Sequence, residues 1–274
     1  MRRAFFTLRL KHMGDVLDEA ANEVAGHKVP NLRGLYELGL PRHPTLDAMH
    51  FLNDPESAIP SASVCLNDAL HMLEEARFAL IEGFKQLAHY REKSPPNEPA
   101  AVFFGRFYGA DVALRLYAAG EHIANAIVKM LAVAEDELAA CRKNRISLQA
   151  MVADFMRSEK PGHLISNAIQ KLGTSREWKS TMDYRNLWVH EQAPLVSGIG
   201  LTFKRGKQAW HKISQARGTG YELTFGGGDE PEISVDELLE FVCVASCLVE
   251  DLLAAIAGYY LGLLPASVAR TSPE

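Results

Sequence analysis

Arg185 and His190 carry the clearest chemical potential in this chain, within the segment Asp183-Tyr184-Arg185-Asn186-Leu187-Trp188-Val189-His190-Glu191. An arginine stays charged at any working pH and presents a planar fork of donors that matches phosphate oxygens, while a histidine takes or gives a proton near neutrality. A fixed cation beside a titratable imidazole is what phosphodiester cleavage without a metal requires. The spacing alone is permissive. With four to six residues between the partners, Arg115 with His122, Arg157 with His163 and Arg205 with His211 also qualify. The setting of each pair has to separate them.

On a helix advancing about 100° per residue, Trp178, Met182 and Val189 fall on one apolar stripe with Arg185 in its middle. A cation there is costly unless it is paired or faces a wet cleft, so its position points to function. Asp183, Asn186 and His190 group on the adjacent face, with Asn186 one turn before His190 and able to hydrogen-bond it or a ligand. Arg185 and His190 lie about 140° apart around an ideal helix. They meet only if the last turn loosens, which Pro194 makes credible, or if Arg185 curls around it. The rival pairs have poorer settings. Arg115 and His122 oppose the stripe of Val112, Leu116, Ile123, Ile127 and Met130 and read as surface residues. Arg157 and His163 straddle the loop Lys160-Pro161-Gly162, and Arg205 and His211 sit in a strand-like segment that could touch a substrate backbone. Glu121, at the border of its own apolar stripe near Leu114, Tyr117 and Val128, is either the carboxylate that holds the Arg185 fork or an ordinary solvated glutamate. Glu250 and Asp251 are rivals for the same cation.

Between Arg176 and Arg217, eight Lys or Arg stand against three acidic residues, and all three tryptophans fall in the interval. This is either a core-forming helix followed by a solvated hairpin or a basic, aromatic-lined nucleic-acid surface. On the second reading Lys179, Lys204, Arg205 and Trp188 bind substrate, with Glu121 and Asp183 in support. The net charge of −5 argues against a protein coated with basic residues for long nucleic-acid tracts, though not against a local patch. The 47% hydrophobic and 23% charged content is that of an ordinary globular protein, and 274 residues suffice for one large core. Cys65, Cys141, Cys243 and Cys247 lack the close pairing of a zinc site, so buried reduced thiols, no metal and no cofactor are expected, in a cytoplasmic protein.

The elements that must position these residues follow from periodicity. A first amphipathic helix is expected over 5–24, then an irregular wrap over 28–60 punctuated by proline and glycine. Helical spacing begins with Ser61 or Ser63 as N-cap and stops before Ser94-Pro95-Pro96. A second long helix is predicted from about Ala101 to Cys141, with Gly105, Gly109 and Gly120 as soft points. Shorter helices follow near Ser147–Arg157, His163–Leu172 and Ser175–Glu191. Over 198–225 the pattern turns strand-like, with a turn at Arg205-Gly206, strands through Ile199–Phe203 and Trp210–Ile213, and a third at Tyr221–Phe225. Ser234 with Glu237 forms a capping box for a last helix to about Leu263. Its apolar run is long enough to span a bilayer, but Glu250 and Asp251 within it fit a buried helix of a soluble bundle better. The expected fold is all-α: an antiparallel helical bundle over 61–274 with a small β-hairpin insert before the C-terminal helix, preceded by an extension over 1–60.

Arg185, Asn186 and His190, near a helix end with two long helices before and one after, resemble the signature and layout of the HEPN superfamily. The resemblance implies a metal-independent ribonuclease in which the 2′-hydroxyl of RNA attacks the adjacent phosphorus and leaves a cyclic phosphate. His190 would be general base or acid, Arg185 would stabilise charge on the phosphoryl oxygens, and Asn186 would orient His190 or bind phosphate. It also implies a homodimer, since one histidine per chain leaves a second acid or base to be supplied, and a role as a toxin or defence effector, with an antitoxin as possible partner. Some relatives instead serve as non-catalytic nucleotide-binding or protein-interaction modules, for example beside a nucleotidyltransferase.

Overall fold

The structure, a computed structural model, describes residues 24, 29–38, 58–141, 147–190, 196, 210–215, 218–223 and 233–263. The helix expected over 5–24 and the strand expected at 199–203 lie outside these residues, apart from Val24. The fold is all-α. A five-residue helix α1 (Arg33–Glu37) stands within the stretch expected to be irregular, and buries Leu32 and Leu35 against the bundle. Two long helices follow, α2 (Ile59–Glu92) and α3 (Glu98–Met130), then α4 (Glu135–Ala140), α5 (Leu148–Glu159), α6 (Leu164–Thr174), α7 (Arg176–His190), two paired strands and α8 (Val235–Gly262).

The core is the antiparallel pair α2–α3 with α8 laid against both. Leu66, Leu70, Leu73 and Leu80 of α2 and Val112, Leu116, Ile123 and Ile127 of α3 have essentially no exposed surface. Each side chain of this size contributes about 1.5–3 kcal/mol by leaving water. The apolar run of α8 packs inward through Leu238, Leu239, Val242, Val249, Leu253 and Ile256, while Asp251 stays exposed and pairs with Lys171 at 2.6 Å. By length and composition α8 could cross a membrane; here it touches α2, α3, α6 and α7.

Local signals explain most boundaries. Pro60 occupies the first turn of α2, where a missing N–H is no loss, so that helix begins before both serines that were expected to cap it. Their hydroxyls point backwards instead, Ser61 to the Ala58 carbonyl at 3.0 Å and Ser63 to that of Pro60 at 2.9 Å. Asn97 caps α3 by accepting from the Ala100 amide at 3.2 Å. Gly105 and Gly109 are not soft points: a β-carbon on Gly105 would come within 2.5 Å of Val235 and one on Gly109 within 2.9 Å of Leu238. Both positions let the start of α8 pack directly on the α3 backbone. The single long helix predicted to Cys141 breaks at Leu131–Ala134, where Ala132 adopts a left-handed φ of 48°. No glycine or proline marks that break.

Ser234 and Glu237 form the expected capping box. The Ser234 amide and hydroxyl both donate to the Glu237 carboxylate at 2.8 Å, and the Glu237 amide donates to the hydroxyl at 3.1 Å. Ahead of it, β1 (Trp210–Gln215) pairs antiparallel with β2 (Gly218–Leu223), from Trp210 opposite Leu223 to Gln215 opposite Gly218. The turn expected at Arg205-Gly206 lies outside the described residues. A single parallel bridge joins Val196 to Ile233.

Candidate functional site

Helix α7 is fixed at its start by Ser175, whose hydroxyl accepts from the Trp178 amide at 3.1 Å and donates to Glu177 at 2.8 Å. Backbone amide and hydroxyl together hold the Glu177 carboxyl below its ordinary value. The buried face of the helix is Trp178, Thr181 and Tyr184, not the expected stripe of Trp178, Met182 and Val189, since Val189 is 45% exposed. The reason lies in the neighbours: α3 and α8 both press on the Tyr184 side, where Tyr184 meets Phe241 edge-on at 6.3 Å.

Arg185 sits one position round from that face and is half-buried. Its guanidinium carbon lies 3.7 Å from the centre of the Tyr117 ring on α3, a cation–π stack. Nη1 donates to Asn186 Oδ1 at 3.0 Å and stands 3.1 Å from His190 Nε2. Since α7 remains helical through His190, the two side chains meet because Arg185 curls around the last turn, not because the helix loosens. A guanidinium has only donors, so this contact requires the lone pair of a neutral imidazole on Nε2 and places the ring proton on Nδ1. Asn186 therefore positions Arg185, and no hydrogen bond joins it to His190 among the described residues. The Arg185 Nε is buried with no hydrogen-bond acceptor. Burial raises the Tyr117 phenol above its ordinary value, Glu121 adds to the rise, and the Arg185 cation opposes it.

Glu121 is not the acidic partner of Arg185. Its two oxygens accept from the Leu148 and Gln149 amides, each at 3.2 Å, so it neutralises the N-terminus of α5. The rivals are spent too: Glu250 accepts from the Asn31 amide at 3.2 Å and Asp251 pairs with Lys171. Among the described residues no carboxylate pairs with Arg185. Lys179 and Asp183 are exposed on α7, and among the described residues neither forms a hydrogen bond or ion pair with Arg185 or His190. Lys204 and Arg205 lie outside the described residues.

Two of the competing arginine–histidine pairs are engaged structurally, and Arg205 with His211 lies outside the described side chains. Arg115 binds Glu75 and Asp111, and His122 faces Asp68 at 3.8 Å. Arg157 pairs with Asp154 at 2.5 Å, while His163 caps α6 by accepting from the Ile165 amide at 3.2 Å. Of the three pairs whose side chains are described, Arg185 and His190 alone meet. None of the four cysteines is joined in a disulfide, and burial pushes the Cys243 thiol up to about 12. No group of metal-ligating side chains occurs among the described residues. An apolar recess lined by Leu164, Ala254, Gly258 and Tyr259 shares no residue with the Arg185 cluster.

Sequence reading missed Tyr117 as the support of Arg185, and it missed Arg106. These two lie eleven positions apart on α3, three helical turns, hence on the stripe that faces α7. Arg106 stands 4.9 Å over the ring of Trp188. Compared with known proteins, the chain matches no family model, no curated protein and no solved structure.

Proposed function

We propose that this chain is a cytoplasmic HEPN-like protein that cleaves RNA without a metal, as a homodimer, in the role of a toxin or defence effector. On this proposal the antiparallel bundle is the HEPN-like body and the β1–β2 ribbon is an insert ahead of its last helix. The observation that carries the reading is the 3.1 Å approach of Arg185 Nη1 to His190 Nε2, with Arg185 lacking any carboxylate partner among the described residues. A cation left without an anion beside an unprotonated imidazole suits a phosphodiester.

In the proposed reaction, an incoming phosphate draws the guanidinium away from Nε2 and frees the lone pair of His190. His190 then takes the proton of the 2′-hydroxyl as that oxygen bonds to phosphorus. Arg185 stabilises the charge that builds on the equatorial oxygens. The bond from phosphorus to the 5′-oxygen breaks, and that oxygen takes a proton from the protonated histidine of a second copy. The products are a 2′,3′-cyclic phosphate and a 5′-hydroxyl. Asn186 keeps the guanidinium at the end of α7, and Trp188 offers a stacking surface.

A second reading, a non-catalytic module that binds a nucleotide or a protein such as a nucleotidyltransferase, is favoured by the same contact in one respect. Arg185 occupies the lone pair that a base must have free. Incubating the protein with RNA under a chelator, beside Arg185→Ala and His190→Ala, separates the two. Cleavage by the natural sequence that both variants lose supports the nuclease, and RNA binding without cleavage supports the module.

A further inference from the structure

We infer that Arg106 and Trp188 form a second RNA subsite, taking the phosphate and base of a nucleotide next to the one held at Arg185 and His190. The inference rests on the reading of that cluster as an RNA site. Trp188 lies three positions beyond Arg185 on α7, a rise of about 4.5 Å, so a strand that reaches one side chain passes the other.

The ring of Trp188 is held in place. Tyr184 stacks on it at 6.3 Å with the planes 16° apart, and the Arg106 guanidinium lies 4.9 Å from its centre. Even so, Trp188 keeps 36% of its surface exposed. An aromatic ring fixed in orientation and open to water is a stacking platform for a base.

The charge around it is unbalanced. Arg106 reaches in from α3 and Arg185 from α7, and neither has a carboxylate partner among the described residues. The Nε of each is buried without an acceptor, as is the Tyr184 hydroxyl, although Tyr184 is only 4% exposed. Burial raises the Tyr184 phenol, and the nearby Arg106 cation partly offsets the rise. Two guanidinium Nε groups and a buried hydroxyl thus lack a hydrogen-bond partner around one turn of α7. The oxygens of an RNA backbone would supply what the carboxylates of this net-acidic chain do not.

The test measures binding of a fluorescein-labelled single-stranded RNA of about ten nucleotides to the His190→Ala protein, over a range of salt concentrations. Adding Arg106→Ala should weaken binding about tenfold and reduce the slope of log affinity against log salt by about 0.7. Arg106→Lys, which keeps charge without the planar fork, should preserve the slope. Trp188→Ala should weaken binding by a similar factor at unchanged slope, and Trp188→Phe should retain it. Affinity and slope unmoved by Arg106→Ala, in protein that unfolds at the same temperature as its parent, would overturn the subsite. Cleavage by the natural sequence is scored separately. No cleavage together with Arg106-dependent binding removes the nuclease and keeps the subsite, whereas cleavage with Arg106-independent binding does the reverse.

Discussion

Arg185 reaches back around the final turn of its own helix to set Nη1 3.1 Å from the Nε2 of His190, although the two residues leave the helix in divergent directions. The reach is supported from below by the Tyr117 ring and from the side by Asn186. A lysine can reproduce the charge at this position but not three simultaneous contacts, because its point-like ammonium cannot stack flat and bond in the plane. Arg185→Lys is therefore expected to lower RNA cleavage about 100-fold, close to Arg185→Ala, with little change in stability. Rate measurements beside thermal unfolding of both variants check this. Near-normal cleavage by the lysine variant would show that charge alone suffices.

Glu121 binds two amides at the start of α5 and leaves Arg185 alone. Glu121→Ala should destabilise the protein by about 1–2 kcal/mol, the cost of losing a helix-terminal acceptor. At a temperature where it remains folded, the variant should cleave RNA at close to the parent rate. A loss of cleavage without a loss of stability would restore Glu121 to the site.

Ala132 ends α3 in the left-handed region, where a β-carbon is unfavourable and glycine carries no such penalty. Ala132→Gly is expected to stabilise the fold by up to about 1 kcal/mol, read as a rise in Tm. A fall in Tm would mean that the methyl group packs more favourably than the backbone is strained.

The boundaries legible in the sequence were those with a local cause. Ser94-Pro95-Pro96 stops α2, and Ser234 with Glu237 opens α8. The break at Ala132 was hidden because nothing in its own residues prescribes it. The face of α7 was misjudged for a related reason. Val189 is apolar and at helical spacing from Trp178, but only the placement of α3 and α8 decides that Tyr184 is covered and Val189 is not. The meeting of Arg185 with His190 was legible as one of two routes, and the structure takes the one in which the side chain bends and the helix does not. Glu121, by contrast, has its acceptor role set by the start of a helix 27 residues away in sequence, which no local pattern reveals.

The Glu237 carboxyl is held below its ordinary value of 4.5, first by the Ser234 amide and then by the Ser234 hydroxyl. A folded-state value lower than the unfolded one contributes stability that is present above the unfolded value and lost as pH falls through the folded one. Glu237→Gln should therefore lower Tm at neutral pH and show a shallower loss of Tm than the natural sequence between about pH 5 and 3. Parallel acid limbs for the two proteins would contradict this role for the capping box.

The most direct test of the Arg185–His190 proposal compares an RNA with the same strand bearing one 2′-O-methyl group at the cleaved nucleotide, both with a chelator present. The unmodified strand should be cut to a 2′,3′-cyclic phosphate and a 5′-hydroxyl, the methylated position should stay uncut, and His190→Ala should abolish the cut. Cleavage that survives 2′-O-methylation or loss of His190, or that stops when metal is removed, would contradict it.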